Sequence, residues 1–511
     1  MKDYSELKSG SDVCGVACGI YENEIALTDE AVYDITAAFA LFLENKLGKK
    51  ASQLTVSVGH DSRTTAERIK TRVIESLASV GIKVLDCGLS STPAMFMTTQ
   101  KLNCDGAVEI TASHHPADRN GLKFFLPSGA IKSDDIIEIL NLANASKCCE
   151  NAEGSVETVD FMSEYACCLR EIICRELGVA EGDRPLEGLK IVVDASAGVG
   201  GFYAENVLKR LGADVSGSIN LTPDGTFPCH VPDPENDLTI ASVSDAVINS
   251  NADFGVVFNA DADRVALIDP DGVVINGNRL IALACTIALE NENASTVVTD
   301  SVTSSGLKTF IENLGGKQYR FKSGYKNVIN EAVRLYGEGI NIKLAVDTTG
   351  HAAFSENHFL DDGTYLATKV VTKLALLKRE SKSFFDTTAS LKIPLDTREF
   401  RIGIGVDEFT IYGELVVEGI ERWCEAMAEA DGYIIDKDNQ EGIRVSVDDG
   451  WFMLKLSAHD PVLLLHVESD LEYGVKKILE KIAAFFFNCR FLNTETLIEY
   501  LESNEEQEIH E

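Results

Sequence analysis

The sequence predicts three α/β domains with mixed sheets, followed by a smaller C-terminal α+β domain. Two observations carry this. Apolar, β-rich runs alternate with helical patterns in three successive stretches, and from about Leu391 the alternation gives way to a long helix among consecutive strands. A chain of 511 residues is also too long for one hydrophobic core. The expected domains are residues 1–158, 159–275, 276–388 and 389–492, with an acidic helix or tail over 493–511.

In order, Leu54-Thr-Val-Ser-Val58 reads as a buried strand, Arg63 to Val80 has helical spacing, and Ile82-Lys-Val-Leu85 is the next strand. Ala107-Val-Glu-Ile110 runs into a loop that Leu122-Lys-Phe-Phe-Leu126 leaves. The second stretch begins near Leu189 with Ile191-Val-Val-Asp-Ala195, a Gly-rich turn, and a helix through Leu211 that Gly212 ends. Gly198-x-Gly200 lacks the third glycine of a dinucleotide fingerprint and reads as a plain β–α turn. The third stretch places strands at Val297–Asp300, Arg320–Phe321 and Leu344–Val346, with helices at Ser304–Leu314 and Asn327–Leu335. The last domain reads as a helix over Ile411–Ala430, strands at Ile443–Val447, Trp451–Leu456 and Val462–Val467, and a helix from Leu471.

The net charge of −35 argues against a nucleic-acid partner. No apolar run approaches a membrane span, and the N-terminus lacks the apolar core of a signal peptide. The 13 scattered cysteines, without a C-x-x-C pair, point to reduced thiols and a cytoplasmic location. The acidic balance looks wrong for an anionic ligand. Its resolution is local: the loops that carry chemistry hold Lys123, Arg264 and Lys455, the segment Lys322-Ser-Gly-Tyr325 and its neighbour add Lys322 and Lys326, and distant charges are screened beyond a Debye length of ~8 Å.

Four loops carry that chemistry. In Thr111-Ala-Ser-His-His-Pro116, followed by Asn120-Gly-Leu-Lys123, a serine hydroxyl sits on a tight turn beside two imidazoles, with a lysine ten residues on. In Phe258-Asn-Ala-Asp-Ala-Asp-Arg264, the oxygens of Asn259, Asp261 and Asp263 fall at alternate positions, a hard donor set suited to Mg²⁺. A calcium loop is excluded, because Arg264 and Pro270 stand where glycine and glutamate belong. The third loop is Asp347-Thr-Thr-Gly-His351 with Asp361-Asp-Gly363. The fourth is Gly450-Trp-Phe-Met-Leu-Lys-Leu-Ser-Ala-His-Asp-Pro461.

Together, in this order, the four loops resemble those of the α-D-phosphohexomutases, the family of phosphoglucomutase and phosphomannomutase. The resemblance covers essentially the whole chain and implies three α/β domains and an α+β fourth. It implies that Ser113 carries the phosphoryl group and that Lys123 is general base and acid, with His114 and Arg264 beside them. It implies one Mg²⁺ per chain, held by Ser113, Asn259, Asp261 and Asp263. Asp347, Thr349, His351, Tyr325, Lys455, Ser457 and His459 would bind substrate. The activity implied is interconversion of hexose 1- and 6-phosphates, of glucose or mannose, with a bisphosphorylated hexose as intermediate and activator. Glucosamine phosphate is the alternative substrate, and a catalytically reduced sugar-phosphate-binding relative the alternative class. A monomer or homodimer in carbohydrate metabolism, binding neither nucleic acid nor membrane, completes the expectation. The chain departs from the family pattern at Cys14, where an arginine is expected, at Asn259 for Asp, at Asp347 for Glu, at Tyr325 for His and at Lys455 for Arg. Gly59-His-Asp-Ser-Arg63 matches a strand-end motif and reads as structural support.

Overall fold

A computed structural model describes residues 3–19, 21, 24–290, 292, 294–457 and 460–503. The chain divides into two compact units, Met1–Ile287 with Thr349–Thr387, and Ala288–Thr348 with Thr388–Glu511.

The first unit contains an eight-stranded mixed sheet. Its order is Lys8–Ser9, Asp12–Val16, Arg119–Leu126, Gly106–Ile110, Thr55–His60, Lys83–Leu89 and Ser155–Thr158, with Gly129–Ala130 paired to Arg119–Leu126. Thr55–His60 runs parallel to both Lys83–Leu89 and Gly106–Ile110, whereas Arg119–Leu126 returns antiparallel to Gly106–Ile110. All five residues of Gly106–Ile110 are buried, as expected of a strand covered on both faces. Helices Asp29–Leu47, Ala66–Ser79 and Ser133–Asn144 share one core with the sheet, through Phe39, Leu77, Ile139, Val56 and Phe124. Phe39 and Phe124 pack with ring centroids 4.3 Å apart. Two boundaries differ from the sequence reading. The helix begins at Ala66 because Arg63 and Asp61 form a turn with side-chain bonds of their own. The returning strand begins at Arg119, so Asn120 and Gly121 belong to the sheet.

A second sheet in this unit pairs Ile191–Asp194 in parallel with Phe254–Phe258, then Val265–Ile268 and Val274–Ile275 antiparallel. The helix expected through Leu211 is wound as a π-helix over Tyr203–Leu208. Helix Phe161–Leu177, not anticipated from sequence, is capped by Asp160 and packs on helix Gly363–Arg379. There Tyr165 donates a buried hydrogen bond of 2.5 Å to Asp362.

The second unit has a parallel group of strands, Lys317–Arg320, Thr296–Thr299 and Ile342–Val346, with helices Ser305–Asn313 and Tyr325–Gly337. It also has a six-stranded antiparallel sheet ordered Ile434–Ile435, Ile443–Val447, Gly450–Leu456, Val462–Ser469, Asp396–Ile404 and Leu492–Asn493. Helices Phe409–Asp431 and Gly474–Phe487 complete the α+β pattern read from sequence. The expected acidic tail starts as helix Glu495–Glu502, whose Leu497 is buried in this core. The thirteen cysteines are thiols rather than disulfides. Among the described residues, no helix is long and apolar enough to cross a membrane.

Candidate functional site

The serine loop lies at the ends of strands Gly106–Ile110 and Arg119–Leu126, where neighbouring chain reversals bring loops together. Ser113 has φ +52°, a left-handed conformation uncommon for a residue with a side chain. Two contacts hold it there. Its N–H donates to Thr111 Oγ1 at 2.8 Å, and its carbonyl accepts from Arg63 Nη2 at 2.7 Å. Arg63 also donates to the carbonyls of His115, Pro116 and Arg119 at 2.7, 2.6 and 3.0 Å. Its Nε bonds Asp61 at 3.1 Å, and Asp61 accepts from Thr111 Oγ1 at 2.7 Å. The Arg63 and Asp61 side chains are both fully buried. The motif read as structural support therefore clamps the whole serine loop.

Lys123, on the returning strand, sits opposite Glu109. Its ammonium bridges Asp261 at 2.8 Å and Asp263 at 2.5 Å. These aspartates come from the loop after strand Phe254–Phe258, in which Ala262 also takes a left-handed φ of +58°. Burial and the charge of Asp263 raise the Asp261 carboxyl, whereas Lys123, His351 and Arg264 hold Asp263 low against its burial. Thr92 donates to Asp261 at 2.6 Å. Asn259 is bonded at both ends of its amide. Its Oδ1 accepts from the Arg264 N–H at 3.1 Å, and its Nδ2 donates to Ser113 Oγ, Asp261 and Asp263 at 2.9, 2.9 and 2.6 Å. The loop thus brings two carboxylates and an amide donor to the serine.

Arg264 donates to His114 Nδ1 and reaches Glu235 at 3.5 Å. Burial, then the charges of Arg264 and His115, push the His114 imidazole down to about 3, so it is neutral and accepts through Nδ1. His115 stacks on it at 4.6 Å. Cys14 pairs across the sheet with Gly121. Burial raises its thiol, opposed by the charges of Arg119 and Arg63, so cations surround the position where an arginine was expected. His351 bonds Thr349 through Nδ1 at 2.8 Å and lies 3.6 Å from Asp361 through Nε2.

In the second unit, Asp347 directly follows strand Ile342–Val346 and is buried. Asp300, after the neighbouring parallel strand, accepts from the N–H and hydroxyl of Thr348 at 3.0 and 2.6 Å. Burial and then Asp347 push the Asp300 carboxyl up to about 6. Tyr325 opens helix Tyr325–Gly337. Lys455 donates to Ser323 at 2.5 Å and to Glu441 at 3.0 Å, and Glu441 also accepts from Ser301 at 2.6 Å. Burial works against the Glu441 carboxylate, but Lys455 and these bonds hold it low. Ser457 Oγ accepts from the Asp460 N–H at 3.2 Å. His459 lies outside the described residues.

Sequence reasoning missed Thr92, Asp300, Glu441 and Glu109. Glu109 is fully buried, and among the described residues neither carboxyl oxygen has a hydrogen-bond partner. Burial and then Asp61 raise it well above the usual carboxylate range. An unbroken β-rich run containing one glutamate was the only signal available for it.

A serine hydroxyl, an ammonium and paired carboxylates thus meet at the strand ends. The phosphoglucomutase/phosphomannomutase alpha/beta/alpha domains I, II and III match residues 15–147, 173–272 and 276–391, and the chain belongs to that family, the α-D-phosphohexomutases. It is 28% identical over 451 residues to a phosphomannomutase/phosphoglucomutase of Pseudomonas aeruginosa, covering 87% of this chain and 90% of that protein. It is 28% identical over 474 residues to a phosphoglucomutase/phosphomannomutase of Thermococcus kodakarensis, covering 90% and 95%. Among solved structures, a phosphoglucomutase/phosphomannomutase family protein of Burkholderia thailandensis shares the fold, with TM-score 0.78, 24% identity and coverage of 96% and 98%.

Proposed function

We propose that this protein is a phosphohexomutase that interconverts hexose 1-phosphate and hexose 6-phosphate, with glucose and mannose as its sugars. One observation carries the reading: a serine held in a left-handed conformation by Arg63, its hydroxyl joined through Asn259 to the carboxylates that Lys123 bridges. The names of the relatives support the sugar class.

In the proposed reaction, a free hydroxyl of the sugar phosphate attacks the phosphorus on Ser113. The new P–O bond forms on the sugar as the P–Oγ bond breaks. Lys123, acting as the neutral amine, takes the hydroxyl proton, and the ammonium so formed gives a proton to the departing Oγ. The bisphosphorylated sugar then reorients and gives its other phosphoryl group back to Ser113. Neutral His114, fixed by Arg264, offers its Nε2–H as a donor to phosphoryl oxygens, and Asn259 Nδ2 offers another. Asp347 is assigned to sugar hydroxyls and Lys455 to phosphate through the family likeness.

The two buried carboxylates, Asp261 and Asp263, fit Mg²⁺ and would hold it beside Ser113. When bound, Mg²⁺ would neutralise charge on the transferring group. Asn259, with its oxygen committed to Arg264, serves this site as a donor to phosphate.

Phosphopeptide mapping tests the proposal. Phosphate is expected on Ser113, and Ser113→Ala should abolish both the phosphate and coupled-assay turnover. Modification elsewhere with an active alanine variant would overturn it. Sugar-phosphate binding without turnover in the wild type would favour the binding-only relative.

A further inference from the structure

His351 and Asp361 lie on one short hairpin. His351 immediately precedes strand Ala352–Phe354, and Asp361 pairs across from Ala353. The hairpin is seated tightly against the residues that follow Asp263. A Cβ at Gly350 would come within 2.7 Å of the Val265 carbonyl oxygen, and one at Gly363 within 2.7 Å of the Arg264 carbonyl carbon. Backbone contact at both ends therefore fixes where His351 and Asp361 stand relative to Asp263. One ligand atom from each of these three residues lies within 4.8 Å of the other two.

We propose that His351, Asp361 and Asp263 form a second metal site, selective for a borderline transition-metal ion such as Zn²⁺ and distinct from the Mg²⁺ site on Asp261 and Asp263. Three features point to it. The His351 Nε2 to Asp361 separation is 3.6 Å. Two ligands of a tetrahedral zinc at ~2.05 Å from the metal stand about 3.3 Å apart, so this pair needs little movement to close on an ion. Thr349 Oγ1 bonds the other ring nitrogen, Nδ1, at 2.8 Å. That bond turns the ring so that Nε2 is the nitrogen on the side of Asp361, a second bond of the kind that orients metal-binding histidines. Finally, all three residues are largely shielded, with side chains 6% and 12% exposed for His351 and Asp361. Shielding strengthens charge interactions at the site.

One nitrogen and two oxygens distinguish this set from an all-oxygen magnesium site. Imidazole favours zinc, cobalt and nickel over Mg²⁺, which prefers oxygen and retains its water. The three protein ligands leave a fourth position for water. Asp263 already bonds Lys123 and Asn259, yet a carboxylate has about four acceptor positions, so it can bridge. An ion here would compete with Lys123 for Asp263. Transition-metal binding is thereby expected to depress turnover, although the site is defined by binding and stands whether or not the mutase reading does.

The test is equilibrium dialysis of chelator-stripped full-length protein against Zn²⁺ in excess Mg²⁺, with metal content measured directly. One zinc per chain that Mg²⁺ does not displace is expected. His351→Gln and Asp361→Asn should each bind it at least about tenfold more weakly. X-ray absorption of the zinc-loaded wild type should show nitrogen and oxygen neighbours with one imidazole. Sulfur in the first shell would place the metal on cysteines and overturn the proposal, whatever the variants do. Displacement by Mg²⁺, or unchanged zinc affinity in both variants, would also overturn it.

Discussion

Asn259 turns its amide nitrogen toward Ser113, donating from Nδ2 to Oγ at 2.9 Å, while its oxygen is held by the Arg264 N–H. The residue that replaces an expected metal ligand is thus a donor to the serine and to two aspartates. Its exchange for a carboxylate reverses that role.

Asn259→Asp would place a third carboxylate beside Asp261 and Asp263, both buried. Without metal the cluster should repel itself and lower the melting temperature. With Mg²⁺ the added charge should lower half-saturation by about tenfold. Thermal melts and activity, each against Mg²⁺ concentration, check both halves. Equal half-saturation in the two proteins would show that this side chain has no influence on the cation.

Arg63 is expected to matter more than a strand-end residue should. Arg63→Ala strips four loop carbonyls of their donor and leaves Asp61 buried without its ion pair, at a cost of about 3–5 kcal/mol. Urea unfolding measures that cost. Arg63→Lys keeps the charge but cannot form the planar fork, so turnover should stay low even where stability partly returns.

Under the proposed assignment of Asp347 to sugar hydroxyls, Asp347→Ala should cost about 1–3 kcal/mol in kcat/KM through loss of a buried acceptor. The loss should appear with the 1-phosphate and the 6-phosphate alike, since the intermediate is used in both orientations. Steady-state kinetics with each substrate decides it.

Asp300 gives stability a pH dependence of defined sign. Its folded carboxyl is raised from 3.8 to about 6 by burial and Asp347. Between those values the folded chain keeps a proton that the unfolded chain has shed. Its contribution therefore falls as pH rises through this window. Urea midpoints for wild type and Asp300→Asn at pH 4, 5, 6 and 7, read as about one step per unit, should converge toward the acid end and separate in the variant's favour above it. A constant difference would remove Asp300 as the source.

The sequence disclosed what lies close along the chain. Ser113 and Lys123 are ten residues apart, and Asp261 and Asp263 share a loop, so each pair stands out in the sequence, and the family resemblance supplied the roles. The alternation of runs likewise exposed the α/β order and the final α+β sheet. Long-range partners were hidden for a physical reason: they depend on which strands adjoin. Thr92 meets Asp261 across 169 positions, and Lys455 meets Ser323 across 132. The direction in which Asn259 faces depends on one backbone N–H, which no side-chain pattern announces. Helix Phe161–Leu177 was passed over because its cysteines and scattered charges blur its apolar stripe.

The grip of Arg63 on the serine loop bears on how that loop opens. One guanidinium is bonded to carbonyls at residues 113, 115, 116 and 119, so none of these can swing outward without disturbing a donor shared with the rest. The loop is tied to a single latch rather than to independent fasteners. In deuterium exchange, the amides across it should open together as one cooperative unit, with a common free energy that Arg63→Lys lowers for all of them at once.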